Sequence, residues 1–246
     1  MNEAPFAGRV VAVTGSSSGI GEATARAFAA AGASVLVNSA RSVAEGEAVA
    51  ASLPEARYVQ GDITEPGVPE RVVAAALEQW GRLDVLVNNA GTTALIPHQD
   101  VQAATVDVWR RIFEVNVFAT WAMSVAALPA LREAKGCIVN VTSVAGVRPT
   151  GSSIPYAASK AALNHMTVLL AKVVGPEVRV NAVAPGLVDT PWTEDWDFVR
   201  EVVQQVAPLR RSGQPGDVAE VVLALAQAAY VTGQVVVVDG GLSLAT

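Results

Sequence analysis

Val10-Val11-Ala12-Val13-Thr14-Gly15-Ser16-Ser17-Ser18-Gly19-Ile20-Gly21 runs an apolar stretch straight into a glycine-rich loop, and residues 21–31 behind it carry alanine-rich helical spacing. Four apolar residues bounded by turn formers read as a buried strand. Glycine lets the backbone turn tightly and lets a ligand come close to it. A helix that opens where such a loop ends offers free N–H groups and the positive end of its dipole. Strand, loop and helix in this order make a cradle for an anion, above all the pyrophosphate of a dinucleotide. The spacing is Gly-x3-Gly-x-Gly, which differs from the Gly-x-Gly-x-x-Gly of other dinucleotide folds.

The same alternation continues along the chain. Short β-branched runs recur at residues 34–37, 57–59, 85–87, 137–141, 178–183 and 235–238, and helical spacing at 70–80, 105–134, 156–174 and 217–228. Parallel strands need long crossovers, and a sheet covered by helices on both faces is built from uniformly apolar strands. The expectation is an α/β fold, a doubly wound, seven-stranded parallel sheet of Rossmann type in a single domain over residues 1–246. Residues 187–208, with Pro191, Trp192, Trp196 and several acids, read as an insertion beyond the carboxyl ends of the strands, where open α/β sheets bind ligands.

Composition narrows the function. Hydrophobic residues make up 51% of the chain and charged ones 16%, enough for a large core and too apolar for disorder. A net charge of −6 supplies no basic face for nucleic acid or for an anionic membrane. No run of about 18 uncharged apolar residues suggests a membrane span. Residues 1–8, with Glu3 and Pro5, have no signal-peptide core, so a cytoplasmic protein is expected. Cys137, the one cysteine, reads as a small buried hydrophobe, and His98 and His165 stand apart from any ligand cluster, so no metal is expected.

Tyr156-Ala157-Ala158-Ser159-Lys160 places a phenol and an ammonium one turn apart at the start of a helix, on one face. Carbonyl reduction needs a proton delivered to oxygen, and alcohol oxidation needs one removed. A free tyrosine titrates near 10, and a nearby cation favours its phenolate, so Lys160 is expected to lower the Tyr156 pKa. Ser143, at the carboxyl edge of the strand over 137–141, can hydrogen-bond a substrate oxygen. Asn116 lies in apolar surroundings where a buried amide needs partners. After the second strand, Ser39 stands where an acid would select NAD(H), and Arg41 can pair with a 2′-phosphate through its planar fork. NADP(H) is therefore favoured, with NAD(H) as the alternative.

Taken together these motifs resemble the short-chain dehydrogenase/reductase family over essentially the whole chain, with a layout most similar to its 3-oxoacyl-carrier-protein reductases. The resemblance implies a catalytic set of Asn116, Ser143, Tyr156 and Lys160, with Asn116 holding a water that links Lys160 to solvent. It implies cofactor contacts from Gly15, Ser17, Ser18, Gly19, Ile20 and Gly21 in the loop, from Ser39 and Arg41, and from Asp62 and Ile63 at the adenine. Asn89, Ala90 and Gly91 of the Asn88-Asn89-Ala90-Gly91 motif would border the cofactor. Pro185, Gly186, Val188 and Thr190 would clamp the nicotinamide carboxamide, while Tyr156 and Lys160 reach the ribose. The implied activity interconverts a ketone and a secondary alcohol, as a 3-oxoacyl-thioester reductase or a general carbonyl reductase, in a homotetramer built on the helices over 105–134 and 156–174. An NAD-dependent alcohol dehydrogenase and a catalytically idle cofactor sensor remain as alternatives. Substrate walls are expected from residues 92–96, 144–147 and the 187–208 insertion, with Trp192 and Trp196 either capping substrate or anchoring the loop. Arg132, Lys135 and Lys172 are candidates for a basic patch at the site's mouth.

Overall fold

Valine-rich runs with no polar alternation have two apolar faces to bury, and here they do so at the centre of a sheet. A computed structural model of the chain describes residues 4–245; the reading of the N-terminal stretch falls partly on residues 1–3, which lie outside the described residues. Element order is β1 (Val10–Val13), α1 (Gly19–Ala30), β2 (Ser34–Ser39), α2 (Val43–Ala51), β3 (Ala56–Gln60), α3 (Val68–Trp80), β4 (Val85–Asn88), α4 (Val106–Phe113), α5 (Thr120–Ala134), β5 (Cys137–Val141), α6 (Ile154–Val174), β6 (Arg179–Pro185), α7 (Asp197–Val206), α8 (Pro215–Gln227) and β7 (Val235–Val238). The seven strands are all parallel in the order β3-β2-β1-β4-β5-β6-β7. The order reverses between β1 and β4, and that switch point opens a crevice at the carboxyl ends of the strands.

Strand side chains alternate between two cores. Val10, Ala12, Leu86 and Ile138 pack with Val72, Met123, Leu131 and Leu170 of α3, α5 and α6. Val11, Val13, Val87 and Val139 pack on the other face with Phe28 of α1 and Val218 and Val222 of α8. Phe28, Leu86 and Ile138 are fully buried, each worth about 1.5–3 kcal/mol relative to exposure. Cys137 is buried as expected, and burial pushes its thiol up to about 11.

Three local expectations need correction. Residues 43–51 form α2, which the sequence reading passed over; Gly46 interrupts the pattern because it packs where a Cβ would lie 2.3 Å from the Tyr58 ring. The helix over 105–134 is not uniform, for a π-helical turn at Glu114–Ala119 separates α4 from α5. The insertion over 187–208 is not a plain loop: it holds a 3-10 turn, Pro191–Thr193, and the amphipathic α7. The 29-residue helical run Val106–Ala134 has the length and composition to cross a membrane, yet it buries Met123, Ala127 and Leu131 against the sheet.

Candidate active site

The glycine loop is held from behind by the end of β4. Asn89 donates from Nδ2 to the carbonyls of Thr14 (3.0 Å) and Gly15 (2.9 Å), and the Thr14 hydroxyl accepts from the amides of Asn89 (3.0 Å) and Ala90 (3.1 Å). A Cβ on Gly21 would lie 2.3 Å from the Gly15 oxygen and 2.5 Å from Asn89 Nδ2. Gly15 has φ +62° and would carry a Cβ 2.9 Å from Ala90 Cα. Backbone therefore meets backbone at this point, and the amides at the start of α1 face the crevice.

The crevice is a cleft of about 870 Å³. It is bordered by all of the cofactor residues expected from the sequence except Gly21, which packs behind the loop. Asp62 accepts from the amide (3.0 Å) and hydroxyl (2.8 Å) of Thr64, which fixes its carboxylate at the rim. The Ser39 hydroxyl donates to the Ser42 carbonyl at 2.9 Å and lies 2.8 Å from Tyr58 OH, so it is already partnered. Arg41 is exposed on the cleft edge and has no ion pair among the described residues. A glycine cradle at a helix N-terminus, a carboxylate at the expected adenine end and a free guanidinium fit a dinucleotide.

At the far end of the cleft, α6 begins with Ser153 as N-cap, its hydroxyl accepting from the Tyr156 amide at 3.3 Å, and with Pro155 in the first turn. This sets Tyr156 in that turn with Lys160 one turn further in. Ser143 leaves β5 and caps the 3-10 turn Val144–Gly146, its hydroxyl accepting from the Ala145 amide at 3.1 Å. That turn lies on α6 so closely that a Cβ on Gly146 would be 2.6 Å from the Lys160 carbonyl carbon. Ser143, Tyr156 and Lys160 are thereby brought to one wall.

Lys160 is buried, donates from Nζ to the Val141 carbonyl at 3.0 Å, and sits 5.7 Å from the centre of the Tyr156 ring. Desolvation lowers its pKa from 10.5 to about 8. The expected effect of Lys160 on Tyr156 needs correction: burial raises the phenol above its ordinary value, and the lowering influence comes from a hydrogen bond with Ser143. The ammonium is anchored on the Val141 oxygen beside the ring.

Asn116 lies in the π-helical turn, fully buried, and does not border the cleft. Its Oδ1 accepts from the Thr92 amide (2.8 Å), and its Nδ2 donates to the Thr92 carbonyl (3.0 Å) and the Ser159 hydroxyl (3.0 Å). The amide thus has the partners its burial demands, and it ties the loop after β4 to α6. Helical ladders locally widened to i→i+5 are frequent at functional sites.

The expected walls are largely present: Thr92, Thr93, Leu95, Val144 and Ala145 border the cleft, joined by Trp192 and Trp196. Trp192 meets Tyr156 edge-on, centroids 6.3 Å apart and planes at 84°. Val199 and Val203, within the expected 187–208 wall, also border the cleft, as do Arg111 and Leu242, which the sequence does not single out. Arg132, Lys135 and Lys172 do not border it; Lys135 lines a separate, smaller cavity beside Arg9, Arg82 and Asp84. Helices that follow parallel strands run back from the carboxyl edge, so residues late in α5 and α6 end up at the opposite edge of the sheet. Among the described residues there is no His, Cys, Asp or Glu cluster suited to a metal.

Residues 15–243 match the family model described as enoyl-(acyl carrier protein) reductase. The chain belongs to the short-chain dehydrogenase/reductase family. It is an oxidoreductase of a family that works with nicotinamide cofactors. It is 57% identical over 239 residues, 96% of each chain, to a protein of Streptomyces violaceoruber named as ketoacyl reductase 2 of the granaticin polyketide synthase. A 3-oxoacyl-acyl-carrier-protein reductase, FabG, of Thermotoga maritima is 39% identical over 96% of this chain and 98% of its own. Among solved structures, a short-chain dehydrogenase/reductase of Brucella melitensis, titled a glucose/ribitol dehydrogenase, superposes with TM-score 0.91 at 32% identity, covering 98% of this chain and 99% of that one.

Proposed function

We propose that the protein is an NADP(H)-dependent ketoreductase in which Tyr156 is the proton donor. The observation that carries this reading is a phenol at the head of the cleft that shares one wall with the Ser143 hydroxyl and is backed by a buried lysine. A tyrosine holds its proton at neutral pH, which is the form that can protonate a developing alkoxide. When bound, the nicotinamide supplies the hydride for reduction or accepts it for oxidation. Ser143 orients the carbonyl oxygen toward the phenol. Lys160, anchored on the Val141 carbonyl, holds the cofactor ribose and replenishes the phenol's proton. Asn116 keeps the Thr92 loop and Ser159 in register with these groups. The apolar walls favour a ketone with an apolar body, and the names of the two relatives support a 3-oxoacyl thioester as the physiological class.

Arg41 is the contact for the 2′-phosphate, because Ser39 offers no negative charge and its hydroxyl is partnered elsewhere. Exposed Phe118 in the π-helical turn, Trp121 and Val125 on α5, and Val168, Leu169 and Val173 on α6 favour a homotetramer assembled on these two helices, in a cytoplasmic protein. Light scattering after size exclusion that reports a monomer would remove that assignment. The reaction is tested with a panel of ketones and 3-oxoacyl thioesters against NADPH and NADH. Tyr156→Phe should lose about 10²–10⁴ in kcat while binding NADPH normally. Full turnover by this variant would defeat the acid assignment.

A further inference from the structure

The geometry points to Arg200 as a positioning residue that clasps the segment between β6 and α8 and so sets Trp192 against the catalytic tyrosine, giving the site its selectivity for ketones with a bulky apolar body. This rests on the reading of Tyr156 as the reacting site. Arg200 stands on α7 with its side chain only 19% exposed, and each nitrogen of its guanidinium is engaged. Nε donates to Asp189 Oδ1 at 2.8 Å, Nη1 to Asp197 Oδ1 at 2.8 Å and to the Glu194 carbonyl at 3.0 Å, and Nη2 to the Thr193 carbonyl. The second oxygen of Asp189 accepts from Gln214 Nε2 at 2.8 Å, next to the head of α8. One planar fork thus joins the end of β6, the 3-10 turn and α7 to the body of the fold.

Trp192 sits in that turn, edge-on to Tyr156, yet it is 48% exposed. An indole half in solvent is not held by burial, so its place depends on the backbone beneath it. That backbone is fixed at both ends: by Thr190 and Thr193, where the Thr193 hydroxyl donates to the Val188 carbonyl at 2.7 Å, and by Arg200 through the Thr193 and Glu194 carbonyls. Val199 and Val203 of α7 border the same cleft, so the residue that orients the helix also orients this second apolar strip. A lysine cannot replace the clasp, since a single ammonium does not reach acceptors in three directions at fixed angles. Arg200 touches neither the reacting atoms nor the cleft, and acts through the wall it holds.

The test compares wild type with Arg200→Ala, Arg200→Lys, Trp192→Ala and the double variant Arg200→Ala/Trp192→Ala. For a bulky aromatic ketone, KM should rise about tenfold in each single variant. The double variant should be no worse than Trp192→Ala alone, because both changes remove the same wall. For Arg200→Ala, kcat on a small ketone such as acetoin and the Kd for NADPH should stay within about twofold of wild type. Acrylamide quenching of the Trp192 fluorescence, taken as wild type minus Trp192→Phe, should increase in the Arg200→Ala background. That readout needs no turnover, so it stands even if the panel of ketones finds no substrate. Multiplying defects in the double variant, equal loss on small and bulky ketones, full function in Arg200→Lys, or unchanged quenching would each overturn the assignment. If Arg200→Ala does not fold, Asp189→Asn weakens one arm of the clasp and should shift KM for the bulky ketone in the same direction; no shift overturns it.

Discussion

At the glycine loop, position is fixed by backbone: the space a Cβ on Gly21 would need is taken by the Gly15 carbonyl, and Asn89 bridges two carbonyls that any sequence would supply. At the wall over 187–208, position is fixed by side chains that a single substitution removes, with Arg200 reaching several acceptors and Trp192 half in solvent. The first arrangement tolerates almost no change and serves a ligand of constant shape. The second can be rewritten without disturbing the sheet, which is what a variable substrate requires.

That contrast is broken most severely at Gly21. Gly21→Ala should weaken both nicotinamide cofactors by about a hundredfold or more and lower the melting temperature, because the clash lies with backbone and an amide that cannot retreat. Cofactor titration within threefold of wild type would show that the floor yields as the wall does. Arg41→Ala should be a milder and selective break, raising the Kd for NADPH about tenfold and leaving that for NADH nearly unchanged. Equal effects on the two cofactors would sink the phosphate contact.

A third expected effect, on stability rather than on cofactor affinity, concerns Lys160. Its folded pKa, about 8, lies below its ordinary 10.5, so between these values the unfolded chain holds more protons and stability rises with pH. Each pH unit inside the window is worth on the order of 1 kcal/mol, or a few degrees in melting temperature. Lys160→Met should lack this rise between pH 8 and 10 relative to wild type, and melting curves that run parallel would show that the ammonium is not penalised by its burial.

The same division explains what could be read in the sequence. The strands and the cleft floor were legible because β-branched runs, glycine spacing and a Tyr–Lys pair are local signals. Residues 43–51 were not, since Gly46 breaks their helical pattern for the sake of Tyr58, a partner on another element. Arg200 carries no local signature, and its meaning appears only when Asp189 and the Thr193 carbonyl are brought beside it. The Tyr156 pKa depends on the fold for a related reason: helical spacing places Lys160 near the ring, but only the fold shows that its ammonium donates to Val141 and that burial raises the phenol.

The π-helical turn at Glu114–Ala119 carries a consequence of its own. Such a turn is what a one-residue insertion makes of an α-helix. Each residue of an α-helix advances the azimuth by about 100°, so deleting one position within the turn would restore an even ladder only by swinging α4 around its axis relative to α5. Asn116 would then leave Thr92 and Ser159, and the loop after β4 would lose its tether to α6. Helix regularity at this place is therefore incompatible with the registry of the two segments, and a length polymorphism here would be felt at the tyrosine although no residue of the cleft had been exchanged.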